Sequence, residues 1–346
     1  MAHAQLTIDL GAVVRNWRRL DGLTPAGCET AATVKADAYG LGLVEVAKAL
    51  ADGGCRTFFV AMLGEALNLR KALGDGPMIG LLSGCMQGDA ERIASAGICP
   101  MLLSVEQFNR YTEQCPGQHY GLQIETGMNR VGIDPVDLRS LDRTGIAENC
   151  RLMISHLADA DDIDSEMNRC QLNAFLQATE GFTIPRSLAA TGGILLGPDY
   201  HFDLCRPGIG LYGGDPFKDA EPTLTLALPV LQVRDIQSGQ SVGYGGEWVA
   251  VSRARIATVL SGYSDGILRH LDGKLSLYAD GVACPVIGRL SMDMMTVDIT
   301  AHKTIPDHLQ LINDRQTVND IAGAAGTIVN EVLSGLSRRY DRIYVT

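Results

Sequence analysis

Eight short runs of apolar and β-branched residues, separated by stretches with helical spacing, occupy the first two hundred residues of this 346-residue chain. A strand followed by a helix, repeated eight times, is typical of a parallel (β/α)8 barrel and less so of an open doubly wound sheet. The pattern therefore predicts a TIM-type barrel of the α/β class. The predicted strands are residues 29–34, 57–61, 77–82, 98–103, 119–125, 151–156, 186–190 and 201–205.

Two of the stretches between the runs have the spacing of amphipathic helices. Apolar residues at positions i, i+3, i+4 and i+7 predict one buried helix face, and the pair Gly53-Gly54 ends that helix. A second, less regular stripe predicts another buried face. The first face comprises Leu43, Val46, Ala47 and Leu50, and the second Met167, Gln171, Leu172, Phe175 and Leu176.

After about residue 215 the sequence changes character, because β-branched segments joined by Gly-containing turns leave little room for crossover helices. We therefore predict a mostly antiparallel β domain, with late helices near Val318–Ala322 and Thr327–Ser337 and a final strand at RIYV. A linker rich in Gly, Pro and charge separates the two parts. The predicted domains are residues 1–218, the barrel, and residues 219–346, the β domain.

Charge and hydropathy exclude several classes of partner. The 29 Lys and Arg against 40 Asp and Glu give a formal net charge of −11, which repels nucleic acid and anionic lipid. The longest run without a charged residue has 13 residues, whereas a membrane span needs about 18. The first ten residues lack the features of a secretory signal. The nine cysteines form no C-x-x-C pair, so we predict no disulfide framework and no metal site, and a reducing cytoplasm.

Polar residues just after the predicted strands are the candidates for chemistry, because barrel active sites lie at the carboxyl ends of the strands. Lys35 follows the first strand, where partial burial can lower its pKa and make it a nucleophile or base. A lysine at a strand end also commonly extends its amine to water without any role in chemistry. His156 ends the sixth strand, where it can cover a flat ligand, relay a proton or simply pack.

Two glycine-containing turns follow the seventh and eighth strands, at Thr191-Gly192-Gly193 and at Arg206-Pro207-Gly208-Ile209-Gly210. Small residues expose backbone N–H groups, and this corner of a barrel commonly holds a phosphate. As ordinary turns these glycines need no such explanation. In the second part, Tyr263 lies in SGYSDG and Met292-Asp293 in GRLSMD.

Six motifs, taken in order and spacing, resemble the alanine racemase family of pyridoxal-phosphate enzymes over about residues 5 to 345. The motifs are VKADAYGLG, ETGMNRVG, SHLADA, RPGIGLYG, SGYSDG and GRLSMDMMTVD. The resemblance implies a (β/α)8 barrel followed by a β domain. It also implies a cytoplasmic isomerase that works as a homodimer and supplies a peptidoglycan precursor.

The resemblance assigns roles to individual residues. It implies that Lys35 carries pyridoxal 5'-phosphate covalently and that Arg206 meets the pyridine nitrogen. His156 then lies by the ring, and Tyr263 reaches in from the other subunit. The phosphate contacts implied are Tyr39, Thr191, Gly208, Ile209 and Asn330, and the substrate contacts are Arg130, Met292, Asp293 and Asn330, with Arg130 also near the cofactor's phenolic oxygen.

Racemisation removes the Cα proton from one face and returns a proton to the other, so it suits two bases on opposite sides. Lys35 and Tyr263 are the implied pair, with Lys35 the base for the D-enantiomer and Tyr263 the base for the L-enantiomer. An ordinary phenol has a pKa near 10, so it needs nearby cations such as His156 or Arg206 to act as a base. An arginine such as Arg206 cannot accept the pyridine proton. The ring nitrogen then stays neutral, and the weaker electron sink favours simple reprotonation over transamination.

Four positions depart from the family pattern. Asp37 and Leu41 stand where Asn and His are usual, and Gln123 stands where many members have a carbamylated lysine that supports the active-site arginine. The Gln123 amide oxygen is then expected to support Arg130. Asn330 stands where a pocket tyrosine is usual, and its smaller, polar side chain can admit a hydroxymethyl group. Serine, or both alanine and serine, is therefore the alternative substrate.

Two other functions remain to be distinguished. A decarboxylase on the same barrel also uses a lysine but normally recognises basic substrates and lacks the RPGIGLYG and SGYSDG pair. A protein that carries the cofactor without turnover has a single barrel and lacks the second domain. The sequence does not rank alanine against serine.

Overall fold

A computed structural model of the chain describes residues 3–346. The strands are β1 (Gln5–Asp9), β2 (Glu29–Thr30), β3 (Ala32–Thr33), β4 (Thr57–Val60), β5 (Met78–Leu81), β6 (Cys99–Leu102), β7 (Tyr120–Gln123), β8 (Cys150–Ile154), β9 (Arg186–Ser187), β10 (Leu204–Cys205), β11 (Leu224–Ile236), β12 (Ser241–Val242), β13 (Trp248–Val249), β14 (Ala254–Val259), β15 (Ser276–Ala279), β16 (Val282–Ile287), β17 (Met295–Asp298), β18 (His308–Ile312) and β19 (Asp341–Val345). The helices are α1 (Leu10–Asp21), α2 (Lys35–Tyr39), α3 (Leu43–Gly53), α4 (Leu63–Leu73), α5 (Ala90–Ser95), α6 (Val105–Gln114), α7 (Pro135–Leu138), α8 (Arg143–Asn149), α9 (Glu166–Ala178), α10 (Thr191–Leu195), α11 (Val318–Ala325) and α12 (Val329–Gly335).

The eight predicted strands of the first part form a closed parallel barrel. Strands β3 to β9 pair in sequence order, and every pairing is parallel. Backbone bonds from Asp203 N to Arg186 O (3.0 Å) and from Arg206 N to Ala189 O (2.8 Å) join β9 to β10. Strand β10 then pairs with β2, which precedes β3 along the first barrel strand. The predicted (β/α)8 fold is confirmed.

Side chains from neighbouring strands fill the barrel interior. Two glycines leave room for the larger side chains. A Cβ at Gly80 would lie 2.5 Å from the Phe59 ring, and a Cβ at Gly121 would lie 2.4 Å from the sulfur of Met101. This interlocking of large and small residues makes the barrel a packed core rather than a pore. The interior cluster comprises Ala31, Phe59, Cys99, Met101, Leu152, Ile154 and Leu204.

The two predicted helix faces differ in outcome. Helix α3 buries the four predicted residues, and Gly54 ends it with φ of 118°. Helix α9 forms as predicted but buries a different face, comprising Asn168, Gln171, Phe175 and Ala178. Met167 and Leu176 are 44% and 42% exposed, so the apolar stripe was wrong at these positions. The side-chain NH2 groups of Asn168 and Gln171 donate to backbone carbonyls, and the Gln171 oxygen accepts from the N–H of Ala158, which offsets the cost of burying these polar residues.

The second part is a mostly antiparallel sheet of eight strands, as predicted. Its order is β14-β17-β16-β15-β18-β11-β1-β19, and the 13-residue β11 also pairs with β14, which closes the sheet on itself. The only parallel pair of this sheet joins β1 to β19. The late helices, α11 and α12, and the final strand, β19, form where the sequence predicted them.

By compactness the chain divides into one unit of Val13–Glu221 and a second that combines Pro222–Thr346 with the N-terminal residues up to Ala12. The predicted division, residues 1–218 and 219–346, assigns β1 to the barrel, whereas β1 pairs with β11 and β19. Within residues 3–346, no helix combines the length and apolar character that crossing a bilayer requires.

Candidate active site

Four predicted site residues lie at the carboxyl ends of barrel strands. Lys35 follows β3, His156 follows β8, Thr191 begins α10 after β9, and Arg206 follows β10. The carboxyl ends of parallel barrel strands meet on one face of the barrel. The charges of Arg206, Arg130 and Lys35 all act on the pKa of His156, as expected of groups at one face.

Lys35 is half-buried, and its environment favours the neutral amine. Burial lowers the pKa of Lys35, the positive charge of Arg130 lowers it further, and the negative charge of Glu65 acts in the opposite direction. A neutral amine is the form that acts as nucleophile or base. The local chemistry at Lys35 is therefore that of a reactive lysine rather than of an amine extended into water.

The segment after Lys35 makes a turn of left-handed helix. Ala36, Asp37, Ala38 and Tyr39 have φ values of 55°, 58°, 53° and 55°. Non-glycine residues rarely adopt this conformation, which costs roughly 1–2 kcal/mol per residue. Bonds from Gly40 N to Ala36 O (2.8 Å) and from Gly42 N to Asp37 O (2.9 Å) hold the turn. This strained turn sets the position of Tyr39 relative to Lys35.

Tyr39, Thr191 and Gly208 form a cradle of hydrogen-bonding groups. Burial raises the pKa of Tyr39 to about 12, so its phenol stays a donor at neutral pH. A Cβ at Gly208 would lie 2.4 Å from the Tyr39 hydroxyl, so only glycine allows this approach. The Thr191 hydroxyl accepts from the N–H groups of Gly208 and Gly210, both at 3.2 Å. Such hydroxyl and N–H groups suit a phosphate.

Arg206 is a buried cation, 6% exposed. Its guanidinium donates to the carbonyl of Ser155 at 2.5 Å and to the hydroxyl of Ser187. Burial lowers the pKa of Arg206 to about 10, so it remains charged at neutral pH. No carboxylate between residues 3 and 346 forms an ion pair with it. A buried arginine with donors to spare suits an uncharged acceptor on a ligand.

His156 is held neutral by its surroundings. Burial lowers its pKa to about 3, and the positive charges of Arg206, Arg130 and Lys35 contribute to the shift. Its backbone carbonyl accepts from the amide of Gln171 at 2.9 Å. A neutral imidazole among cations can lie against a flat ring or accept a hydrogen bond, but it does not supply positive charge at neutral pH.

The loop that carries Arg130 is organised by Glu125. The Glu125 carboxylate accepts from the backbone N–H of Gly127 and, at 3.0 Å, from that of Asn129. Burial acts to raise the pKa of Glu125, but these and neighbouring N–H groups outweigh it and leave the pKa below its usual range. Within the described residues, 3–346, no hydrogen bond joins the side chain of Gln123 to Arg130. The expected support of Arg130 by Gln123 is therefore not seen.

In the second unit, Tyr263, Met292 and Asp293 lie together. The N–H of Tyr263 donates to the carbonyl of Ser291 at 3.1 Å, and the N–H of Ser264 donates to that of Met292 at 3.0 Å. Arg339 forms an ion pair with Asp293 at 2.8 Å. Asn330 is half-buried in the first turn of α12. The structure thus groups the first three residues around one turn of this unit.

Two residues that the sequence analysis did not select contact the segments at the barrel end, and a third is an exposed tyrosine of the second unit. Glu65 accepts from the backbone N–H of Ala36 at 2.6 Å, and Gln171 binds the backbone at His156. Tyr244 is 70% exposed, and Tyr263 is 41% exposed; they are the two exposed tyrosines among the ten. In the sequence Tyr244 stands between Gly243 and Gly245, and both glycines have positive φ.

Comparison with known proteins identifies the family. The family models "Alanine racemase, N-terminal domain" and "Alanine racemase, C-terminal domain" match residues 8–216 and 223–344. A curated alanine racemase of Cereibacter sphaeroides is 50% identical over 344 residues, 99% of each chain. The chain belongs to the alanine racemase family. A curated family member from Agrobacterium fabrum, "Alanine racemase, catabolic", is 41% identical over 360 residues, which cover 99% of this chain and 92% of the relative.

Solved structures of alanine racemases have the same fold. The enzyme from Bartonella henselae, described with covalently bound pyridoxal phosphate, superposes with a TM-score of 0.94 at 37% identity over all of both chains. The biosynthetic enzyme from Pseudomonas aeruginosa superposes with a TM-score of 0.91 at 31% identity, also over all of both chains. The sequence-based identification of an isomerase of the alanine racemase family is confirmed.

The barrel end fits pyridoxal phosphate, the cofactor on which the alanine racemase family depends. Lys35 offers an amine of lowered pKa for an aldehyde. Tyr39, Thr191 and Gly208 offer phosphate donors within one small region, where a Cβ would obstruct the approach. Arg206 offers N–H donors that no carboxylate of residues 3–346 occupies. The donor set therefore matches the cofactor at its aldehyde, its phosphate and its ring nitrogen.

Proposed function

We propose that this protein interconverts L- and D-alanine with pyridoxal phosphate held at Lys35. The observation that carries the proposal is the half-buried Lys35, whose pKa is lowered by burial and by Arg130, at the same barrel end as the neutral His156 and the buried Arg206. A lysine of this kind binds a carbonyl covalently and later acts as a base. The membership of the alanine racemase family supports alanine as the substrate.

Each side chain at the barrel end has a proposed task in holding the cofactor. Lys35 would bind it covalently, Arg206 would donate to its ring nitrogen, and His156 would lie against its ring. When bound, pyridoxal phosphate withdraws electrons from the amino acid and makes its Cα–H bond acidic. Arg130 binds near its phenolic oxygen. The phosphate is held by Tyr39, Thr191, Gly208, Ile209 and Asn330.

Arg206 limits the reaction to proton transfer at Cα. Its guanidinium can donate a hydrogen bond to a ring nitrogen but cannot accept a proton from it, so that nitrogen stays unprotonated. An acidic residue in its place would keep the nitrogen protonated and strengthen electron withdrawal. We therefore expect Arg206→Glu to increase side products such as pyruvate relative to racemised alanine. An unchanged ratio of pyruvate to racemised alanine argues against this role.

The proposed mechanism uses two bases on opposite faces of the substrate. The Nζ atom of Lys35 holds the proton on one face, and a phenol from the partner subunit of a homodimer holds it on the other. Tyr263 is the phenol that the sequence resemblance implies. Tyr244 is the second candidate, because its ring is more exposed than that of Tyr263 and is therefore more available to another chain.

Replacement of each tyrosine by phenylalanine distinguishes the two candidates. Loss of the base lowers kcat for L-alanine by about 100-fold or more. We expect this loss in Tyr263→Phe and a small change in Tyr244→Phe if Tyr263 is the base. The reverse result assigns the base to Tyr244, and a small change in both variants excludes a tyrosine base. The measurement is the incorporation of deuterium from solvent at Cα, started from each enantiomer in turn. Each enantiomer loses its Cα proton to a different base, so the two experiments report on the two bases separately.

Serine is the alternative substrate, and Asn330 is the reason for considering it. The asparagine side chain carries both a donor and an acceptor, and a pocket with room for a hydroxyl excludes it poorly. We expect measurable serine racemisation beside that of alanine. If Asn330→Tyr leaves the ratio of kcat/KM for serine to that for alanine unchanged, Asn330 does not admit serine.

A chiral assay with L-alanine and L-serine, with and without added pyridoxal phosphate, tests the whole proposal. The expected result is cofactor-dependent formation of D-alanine. Release of carbon dioxide from lysine, ornithine or arginine would instead identify a decarboxylase. Absence of deuterium exchange at Cα of alanine would identify a protein that carries the cofactor without turnover.

A further inference from the structure

Glu65 joins the start of one barrel helix to the segment behind Lys35. One carboxylate oxygen accepts from the N–H groups of Ala61 and Met62 at 2.9 and 3.0 Å, at the N-terminus of α4. The other oxygen accepts from the N–H of Ala36 at 2.6 Å. Ala36 directly follows Lys35 in the chain, so this carboxylate fixes the backbone next to the amine-bearing residue.

The backbone at this point needs such a contact. Ala36 begins the left-handed turn, with φ of 55° and ψ of 48°, and a strained conformation persists only when its surroundings over-determine it. The later part of the turn is held by Asp37, whose carboxylate accepts from the N–H of Leu43 at 2.8 Å. Glu65 provides the equivalent contact at the beginning of the turn, on the Lys35 side.

Glu65 also acts on the charge of Lys35. The charged or titratable groups that influence this amine, or are influenced by it, are Arg130 from the loop after β7, His156 from the end of β8 and Glu65 from α4. Burial and Arg130 lower the pKa of Lys35, and Glu65 acts to raise it. His156 is neutral at ordinary pH because its own pKa is lowered to about 3. Glu65 is therefore the acidic side chain that balances Arg130 at this amine.

We propose that Glu65 is a positioning residue for Lys35, through the hydrogen bond that its carboxylate accepts from Ala36 and through the negative charge that this contact brings to the backbone next to Lys35. The inference rests on the proposed role of Lys35 as the residue that binds the cofactor. Glutamine cannot replace Glu65, because its single acceptor oxygen cannot serve both α4 and Ala36. Aspartate keeps the charge and still caps α4, but its shorter side chain does not reach Ala36.

The test measures the reactivity of the Lys35 amine directly. The full-length chain, cleared of cofactor, is labelled briefly with isotopic acetic anhydride over a range of pH, and peptide mass spectrometry reads each lysine. The exposed Lys48 serves as the internal reference. The matched control is Glu106→Gln, which removes a fully exposed carboxylate from the first turn of another barrel helix, α6.

We expect the midpoint of Lys35 labelling to move to lower pH in Glu65→Gln and to stay at the wild-type value in Glu106→Gln. In Glu65→Asp, the rate at which Lys35 captures pyridoxal phosphate should fall by about threefold or more, because one hydrogen bond is lost. The Asp variant keeps the test decisive if the Gln variant fails to fold, since its cap on α4 is intact.

An unchanged Lys35 midpoint in Glu65→Gln, with or without a lower melting temperature, overturns the inference, and so does an unchanged capture rate in Glu65→Asp. Either result means that Glu65 only caps α4. Borohydride reduction of the wild-type protein with its cofactor separately tests the attachment site. If the reduced cofactor is found elsewhere than on Lys35, the proposed function fails, whatever the labelling of the Glu65 variants shows.

Discussion

His156 shows how strongly surroundings set the charge of a single side chain. In the unfolded chain an imidazole has a pKa of about 6.5, whereas in the folded protein burial and three cations lower the pKa of His156 to about 3. Between these values the unfolded chain binds a proton that the folded chain does not. The stability due to neutral His156 is therefore complete above about pH 6.5 and is lost as the pH falls from there toward about 3.

Replacement of His156 by glutamine should make the protein less sensitive to acid. We expect the wild type to lose up to about 2 kcal/mol more of its free energy of unfolding than His156→Gln between about pH 7 and about pH 5. Urea denaturation of the cofactor-free proteins at the two pH values measures this difference. Parallel losses in the two proteins would show that folding does not lower the pKa of His156.

Thr191 is the single hydroxyl that joins two backbone N–H groups in the proposed phosphate cradle, those of Gly208 and Gly210. Thr191→Val keeps the shape but removes the acceptor. We expect its Kd for pyridoxal phosphate to rise by about tenfold, because the phosphate loses the Thr191 hydroxyl as a hydrogen-bond donor, while Thr191→Ser binds nearly as tightly as the wild type. Fluorescence titration of cofactor-free protein measures both. Equal binding by the two variants would exclude the hydroxyl from the cradle.

At the scale of elements, the left-handed turn α2 is the segment whose backbone conformation its own residue types favour least. Four consecutive non-glycine residues have positive φ, so the turn exists because long-range contacts from Glu65 and from the packing of Tyr39 on Tyr212 hold it. The ring centroids of these two tyrosines are 4.8 Å apart. The conformation that places Lys35 and Tyr39 is therefore maintained at a cost in stability.

Replacement of the exposed Ala36 by glycine should relieve part of the conformational strain in α2. We expect Ala36→Gly to raise the free energy of unfolding by up to about 1 kcal/mol, because glycine adopts positive φ without steric strain. Ala49→Gly, in the right-handed helix α3, is the matched control and should lower it by about 1 kcal/mol. Thermal or urea unfolding measures both. A loss of stability in both variants would mean that α2 is not strained at Ala36.

At the scale of the whole molecule, the proposed reaction needs two chains, since the phenol is assigned to the partner subunit. A mixture of two inactive variants tests this arrangement. In a heterodimer of Lys35→Ala with Tyr263→Phe, one site has both defects and the other has both wild-type residues. If Tyr244→Phe proves to be the inactive tyrosine variant, the same mixture made with it tests Tyr244 instead.

Random exchange of subunits makes about half of the dimers mixed, each with one complete site, so we expect about one quarter of the wild-type activity to return. The Lys35→Ala variant and the tyrosine variant, each alone and treated identically, are the controls, and both must be inactive. Activity that returns with one tyrosine variant identifies that tyrosine as the base supplied in trans. If neither mixture gains activity, lysine and tyrosine act within one chain or no tyrosine takes part.

Much of the fold was predictable because its signals are local. The eight barrel strands, the face of α3 and the late helices follow from periodicities of about 2 and 3.6 residues, which depend only on neighbours in the chain. The positions of Lys35, His156 and Arg206 at one end of the barrel follow from the same pattern, because parallel strands present their carboxyl ends together.

The sequence by itself thus determined the order of the elements, the class of the fold and the residues that face the barrel end. Only the tertiary structure decided which polar groups are buried and what holds them. Gln171 is buried because it bonds residues at the end of β8, and strand β1 leaves the barrel because its partner is β19, with Gln5 opposite Asp341. Glu65 meets Ala36 from 29 positions away. Hydrogen bonds between distant residues have no periodic signature, so only folding in three dimensions reveals them.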